Sequence, residues 1–301
     1  MTILRFGTRK SALALAQTRI VMDAVRRSHP EYELEIVPIV TTGDVNMKPF
    51  SDVTDKFGIK GLFTQELEQA LLDGTIDAAV HSLKDVPAHV DDRLPLLAYF
   101  HREDARDALV LREGMNEAEL RKIGCSSARR RLQASVLFPQ ATIEPVRGNV
   151  ETRLRKLNEG QFDALVLAGA GLIRLGLEGR AARFFAPEQI VPAPGQGILA
   201  VQGRAEDASA PWLKALRDDE TTACALAERA FSAALNGGCA APVGVYAALD
   251  GDRVKLIGFF ADESRGIRQT RTISGPRDDP RAVGERLAEL VQKEANGHAG
   301  R

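Results

Sequence analysis

RFGTRKSALALAQ, residues 5–17, runs from a short apolar stretch through a glycine and small polar residues into a helical period. KIGCSSARRRLQA, residues 122–134, repeats that order. Two more pairs follow in the same sequence: IVPI (36–39) with IEPV (143–146), and DGTIDAAV (73–80) with EGQFDALV (159–166). The offset shrinks along the chain, so the second copy is the more compact. A strand, a glycine turn and a helix, twice over and in one order, predict an α/β fold with two related βαβαβ lobes.

The main excess of the first copy is VNMKPFSDVTDKFGIKG, 45–61, which is polar and shows no sustained period, and reads as a long loop of functional type. After the second copy, VPAPGQG (191–197) is a linker and ILAVQG (198–203) a strand that returns to the first lobe. From Asp219 the texture changes. ETTACALAERAFSAALNGG is an amphipathic helix, VGVYAAL, RVKLIGFF and RQTRTI are strands, a last helix covers about 280–295, and NGHAGR is a tail. These predict a small α+β third domain. The expected limits are 1–100 plus 197–217, then 104–193, then 219–301.

Composition narrows the function. The 301 residues carry a formal net charge of −1, so no global field favours nucleic acid or an anionic membrane surface. No apolar run reaches the roughly 18 residues of a membrane span, and the N-terminus has no apolar core with a small-residue cleavage site. Cys125, Cys224 and Cys239 form no CxxC pair, which fits a reduced, cytoplasmic setting. The histidines form no HExxH or Cys/His cluster, so no metal is expected. The GxG of PAPGQG is too weak to indicate a nucleotide.

Cations gather where strands pass into helices. Arg9 and Lys10 precede SALALAQ, and Lys60 precedes LFTQELEQALL. Arg129, Arg130 and Arg131 follow the capping serines Ser126 and Ser127, and Arg147 precedes NVETRLRKL with Arg153 one turn inside. Each cation there opposes the helix dipole by roughly 0.3–1 kcal/mol. Repetition makes sense if anions dock at these termini, where free N–H groups and guanidinium forks cooperate. Arg131 and Arg155 read instead as solvated arginines paired to nearby acids. No aromatic residue interleaves the 121–131 cluster to stack bases, so a small polyanion held between two lobes fits better than nucleic acid.

IDAAVHSLKDVP, 76–87, is a buried strand running into a polar loop at the sheet's carboxyl edge, where ligands bind in open α/β folds. His81, Ser82, Lys84 and Asp85 are expected to face the region of the arginines. A carboxylate set there can stabilise positive charge. Cys224, mid-helix, reads as a small buried hydrophobe. Cys125 lies in the arginine loop with no chemistry demanded of it. Cys239, in LNGGCAAPVG (235–244), follows two helix-ending glycines and precedes Pro242, on a loop where a thiol can be reached.

In combination, GTRKSALALAQ, KGLFTQELEQALL, AAVHSLKDVP, REDARDAL, SSARR, VRGNVETRL, AGLIRLGL and GGCAAPVG resemble the hydroxymethylbilane synthase (porphobilinogen deaminase) family, from about Arg5 to Tyr246. The resemblance implies two lobes like those of periplasmic binding proteins plus the third domain. It also implies a dipyrromethane cofactor held by Cys239 through a thioether, and a transferase of tetrapyrrole (haem) biosynthesis. Four porphobilinogen units are joined head to tail with loss of ammonia, and hydrolysis releases the hydroxymethylbilane. By motif, Asp85 is the catalytic aspartate. Ser11, Lys84, Asp85, Ser126, Ser127, Arg129, Arg130 and Arg147 bind the cofactor, while Arg9, Arg153, Arg174 and Lys60 bind substrate. A cytoplasmic monomer with no nucleic-acid or membrane partner is implied. The chain departs from the usual pattern at Cys125, where Thr is common, at Ala240 and Ala241 after GGC, and at KFGIKG, where Gly-Gly-Lys-Gly is usual. The rival reading is a non-catalytic two-lobed carboxylate-binding protein, which leaves Cys239 and Asp85 idle.

Overall fold

A computed structural model describes residues 2–41, 64–235 and 242–297, without the side chains of 294–297. Lys60, the 45–61 loop and Cys239 lie outside the described residues. The chain divides into two compact units, Met1–Arg102 with Ile198–Thr222, and Glu103–Gly197 with Ala223–Arg301.

The first unit holds β1 (Thr2–Arg9), α1 (Ala12–Ser28), β2 (Tyr32–Ile39), α2 (Gln65–Leu72), β3 (Ala78–Ser82), β4 (Leu96–Phe100) and β10 (Leu199–Gln202). Its sheet order is β2-β1-β3-β10-β4. β1 is parallel to β2 and β3, and β10 is antiparallel to β3 and β4. Side chains alternate across the sheet. Phe6, Ala78 and Val80 pack with Val21, Met22 and Val25 of α1 and with Trp212, whose ring meets Phe6 edge-on at 5.7 Å. Ala79 turns the other way, onto Leu67 and Leu71 of α2.

The second unit begins with β5 (Asp107–Leu111), β6 (Lys122–Gly124), α3 (Ala128–Leu137), β7 (Thr142–Glu144), α4 (Val150–Asn158), β8 (Ala164–Ala168), α5 (Gly169–Arg174) and β9 (Arg183–Phe184). Its sheet order is β7-β6-β8-β5-β9. β6 is parallel to β7 and β8, and β5 is antiparallel to β8 and β9. Position by position this matches the first sheet, so the duplication expected from the sequence is present. In each sheet the antiparallel strand is the one that follows a crossing of the chain from the other unit. The continuous apolar run ALVLA of β8 is buried on both faces, as a central strand requires.

The remaining elements are α6 (Asp219–Leu235), which lies in the second unit from Ala223 on, β11 (Val243–Asp250), β12 (Arg253–Asp262), β13 (Ile267–Pro276) and α7 (Pro280–Gly297). The three strands form an antiparallel meander in the order β11-β12-β13. Phe231 and Leu235 of α6 and Leu287 and Val291 of α7 cover one face of it. The helices approach closely at Gly284, where a Cβ would stand 2.1 Å from the Ala227 carbonyl oxygen. Cys224 is buried in this core, as expected, and Cys125 in that of the preceding sheet. Residues 191–197 are tied to this layer. Val245 N–H donates to the Pro192 carbonyl at 2.8 Å, and the buried Glu228 carboxylate accepts from Gly195 N–H and Ala247 N–H, each at 2.7 Å.

Candidate active site

In the first unit, β1 ends at Arg9 and α1 begins after Ser11, whose hydroxyl accepts from Ala14 N–H at 3.3 Å as an N-cap. β3 ends at Ser82 and passes into a single 3-10 turn, Leu83–Asp85. Leu83 pins that turn, with its side chain buried and its N–H donating to the Ile198 carbonyl at 3.0 Å. Gln17 of α1 reaches across to the Ser82 hydroxyl at 2.8 Å. These contacts set the strand end and the helix start side by side. One pocket is consequently lined by Arg9, Ser11, Gln17, His81, Ser82 and Asp85. Lys84 is half-buried in the same turn. A carboxylate acceptor, a guanidinium donor and two hydroxyls line that pocket together, a mixed set for a molecule carrying both N–H groups and acids.

In the second unit, Ser127 is the N-cap of α3, accepting from Arg130 N–H at 3.4 Å. Ser126 does not cap the helix. Its hydroxyl donates to the Val146 carbonyl and accepts from Val146 N–H at 3.2 Å, clamping the next strand-to-helix connection. Arg129 and Arg130, 4% and 8% exposed, both turn onto Asp107 at the start of β5. Arg129 Nη1 meets Oδ2 at 2.8 Å and also donates to the Val191 carbonyl. Arg130 Nε meets Oδ1 at 2.8 Å, and its Nη2 donates to Gln196 Oε1 at 3.1 Å. Gln196 completes the cluster by donating to Asp107 Oδ1 at 2.8 Å. Burial works to raise the Asp107 pKa, but Arg129 and Arg130 outweigh it and hold the carboxyl below its ordinary value. Burial lowers Arg129 despite Asp107.

Asn149 caps α4 by accepting from Thr152 N–H at 2.8 Å, which places Arg147 just before the helix and Arg153 in its first turn. Arg147 is exposed. Arg153 donates to the Gly148 carbonyl at 2.8 Å, and burial followed by repulsion from Arg130 lowers its pKa. Arg174 ends α5 and donates to the Gly197 carbonyl at 2.6 Å. Arg131 pairs with Glu263 at 2.6 Å and Arg155 with Glu159 at 2.6 Å, the surface ion pairs expected of them.

The structure thus gathers Arg9, Ser11 and Asp85 in one pocket, and Ser126, Ser127, Arg129, Arg130 and Arg153 around the helix starts of the second sheet. Sequence reasoning gave no role to Asp107, Gln196 or Glu228. Asp107 stands in a strand otherwise apolar, DALVL, and a charge at that place is the signal that a buried cation faces it. Among the described residues no group of three or more His, Cys, Asp or Glu side chains is placed to hold a metal ion, and no helix is long and apolar enough to cross a membrane.

Residues 4–211 match the family model described as porphobilinogen deaminase, dipyromethane cofactor binding domain, and residues 222–293 match that of the porphobilinogen deaminase C-terminal domain. The chain belongs to the porphobilinogen deaminase family. Relatives of that name include one from Acetivibrio thermocellus, 46% identical over 97% of this chain and 99% of its own. One from Roseiflexus castenholzii is 44% identical over 98% and 97%, and one from Sorangium cellulosum 47% identical over 91% and 93%. Among solved structures, the periplasmic aliphatic sulphonate binding protein SsuA from Escherichia coli aligns with a TM-score of 0.41 and 13% identity, covering 78% of this chain and 70% of that one.

Proposed function

We propose that this protein is a hydroxymethylbilane synthase, a transferase that joins four porphobilinogen molecules head to tail on a covalent dipyrromethane and releases the product by hydrolysis. Family membership over nearly the whole chain carries the reading. The donor set fits the cofactor. Pyrrole N–H groups need a carboxylate acceptor, and acetate and propionate arms need guanidinium and hydroxyl donors. Asp85 with Arg9 and Ser11 offers both kinds in one pocket. When bound, the dipyrromethane supplies the nucleophilic pyrrole carbon on which the chain grows.

Cys239 is its attachment point. Ser11, Lys84, Ser126, Ser127, Arg129, Arg130 and Arg147 hold its carboxylates, and Arg9, Arg153, Arg174 and Lys60 take those of substrate. Asp85 accepts pyrrole N–H groups and faces the positive charge that develops when ammonia leaves, a role that strengthens as water is excluded. Asp107 holds the Arg129 and Arg130 guanidiniums in fixed orientation, leaving to an incoming carboxylate only the N–H groups that this pairing does not use. The segments 1–100 with 197–217, 104–193 and 219–301 act as three functional domains, in a cytoplasmic monomer.

The test is the intact mass of the denatured, purified protein. An excess equal to a dipyrromethane, mapping to the Cys239 peptide and absent from Cys239→Ser, is expected. An unmodified, fully active protein, or an active Cys239→Ser variant, overturns the reading and returns the carboxylate-binding alternative.

A further inference from the structure

His81 is 6% exposed, and its ring lines the pocket with Arg9, Ser11, Thr64 and Asp85. Its Nε2 lies 3.0 Å from Gln202 Oε1. The orientation of that amide is set by its other neighbours. Gln202 Nε2 is 2.9 Å from the Leu94 carbonyl oxygen and 3.1 Å from Glu68 Oε1. Turning the amide over would set its oxygen against two acceptor oxygens. Gln202 Oε1 therefore accepts, and His81 carries its proton on Nε2. Among the described residues Gln202 is the only hydrogen-bond partner of the ring. Burial keeps the imidazole neutral, its pKa pushed down to about 4 with Gln202 and Asp85 opposing and Arg9 assisting. Among the described residues no hydrogen bond reaches Nδ1, whose lone pair stands on a buried ring that lines the pocket.

We propose that His81 is a positioning residue whose Nδ1 accepts a hydrogen bond from the aminomethyl nitrogen of porphobilinogen. This rests on the transferase reading above. The aminomethyl group is an ammonium at neutral pH, with N–H donors and no acceptor. Within the pocket Asp85 is assigned to pyrrole N–H groups and Arg9 to a carboxylate, and the Ser11, Ser82 and Gln17 oxygens already accept hydrogen bonds from Ala14 N–H, Gln17 and Ser82, so the His81 Nδ1 lone pair is the acceptor matched to the ammonium. When the C–N bond breaks, its electron pair leaves with nitrogen as ammonia, and the positive charge stays on the pyrrole methylene. His81 neither gains nor loses a proton. Its low basicity suits that task, because it aligns the leaving group without retaining a proton from it.

Two substitutions separate the ring nitrogens. Asn at 81 places an acceptor near the position of Nδ1, while Gln reaches toward Gln202 and leaves the Nδ1 position without one. Ammonia release from porphobilinogen is followed in single turnovers of each holoenzyme. His81→Gln is expected to lower the rate about ten- to a hundredfold, with KM within a few fold, and His81→Asn to keep several times more activity. A His81→Gln enzyme within about twofold of wild type, or Asn and Gln equally impaired alongside equal losses of stability, overturns the proposal. In wild-type holoenzyme, nitrogen NMR should show an Nε2–H imidazole whose Nδ1 resonance moves when porphobilinogen is added. A proton on Nδ1, or a resonance indifferent to porphobilinogen, also overturns it. A wild-type protein that carries no pyrrole and releases no ammonia refutes the transferase reading instead, which is a different result.

Discussion

Arg174 Nη2 donates to the Gly197 carbonyl oxygen at 2.6 Å. The same carbonyl accepts from Glu103 N–H at 3.0 Å, so one guanidinium braces the point where two chain connections meet. Burial lowers the Arg174 pKa to about 10, and Glu103 opposes the fall. Gly197 has φ +87°, and a Cβ there would lie 2.3 Å from the Glu103 carbonyl oxygen.

Gly197→Ala therefore combines a left-handed backbone with a clash against main chain that no rotamer relieves. A loss of about 1–3 kcal/mol is expected, read as a lower urea midpoint with unchanged slope. A midpoint equal to wild type would show that the connection relaxes freely.

Asp107→Asn leaves Arg129 and Arg130 buried beside a neutral partner. A loss of about 3 kcal/mol or more is expected. The pH dependence has a definite sign. A carboxyl whose folded pKa is depressed contributes its full stabilisation above its unfolded value of about 4 and loses it as pH falls through the lower folded value. Wild type should lose more stability than Asp107→Asn on acidification below about pH 4. Parallel urea curves for the two proteins across that range would contradict the pairing.

His81 gives a signature of the same sign in a higher pH window. Its folded pKa, about 4, lies below the 6.5 of a free imidazole. The unfolded chain takes up the proton first, so the neutral ring's contribution is complete above pH 6.5 and declines as pH falls toward 4. His81→Gln should flatten the stability profile between those values, relative to wild type measured alongside it. An unchanged profile would mean that the ring titrates in the fold as it does in the unfolded chain.

Asp85→Asn keeps shape and one acceptor oxygen but removes the charge. Near-normal folding and a turnover loss of at least about 10²-fold are expected, with Asp85→Glu retaining more activity than Asn. Single-turnover kinetics on proteins reconstituted with preformed cofactor keep assembly separate from catalysis. Asn within about threefold of wild type, or above Glu, would remove Asp85 from the charge-stabilising role.

Arg147→Leu and Arg153→Leu should stall elongation at different lengths, seen as distinct enzyme–intermediate masses by native mass spectrometry. Arg147 is exposed and Arg153 half-buried, so neither change carries the folding cost expected of Arg129. A common stall at one length would argue against separate carboxylate sites.

The periodic features were legible along the chain. Strand-glycine-helix order, apolar alternation and the change of texture at Asp219 depend on local propensity and burial pattern, and these produced the two matching sheets and the α-β-β-β-α layer. The sequence also located the charged helix starts, because a cap such as Ser127 acts within one turn of its helix. What lay beyond it was pairing across long separations. Nothing near Arg129 in the chain announces Asp107, and nothing near His81 announces Gln202, 121 residues away. Those partners meet only once strands are ordered in a sheet. That meeting decided which arginines are buried against a carboxylate and which nitrogen of His81 holds its proton. A hydrogen bond between distant residues is fixed by sheet order and side-chain facing, and neither is a property of any short stretch of chain.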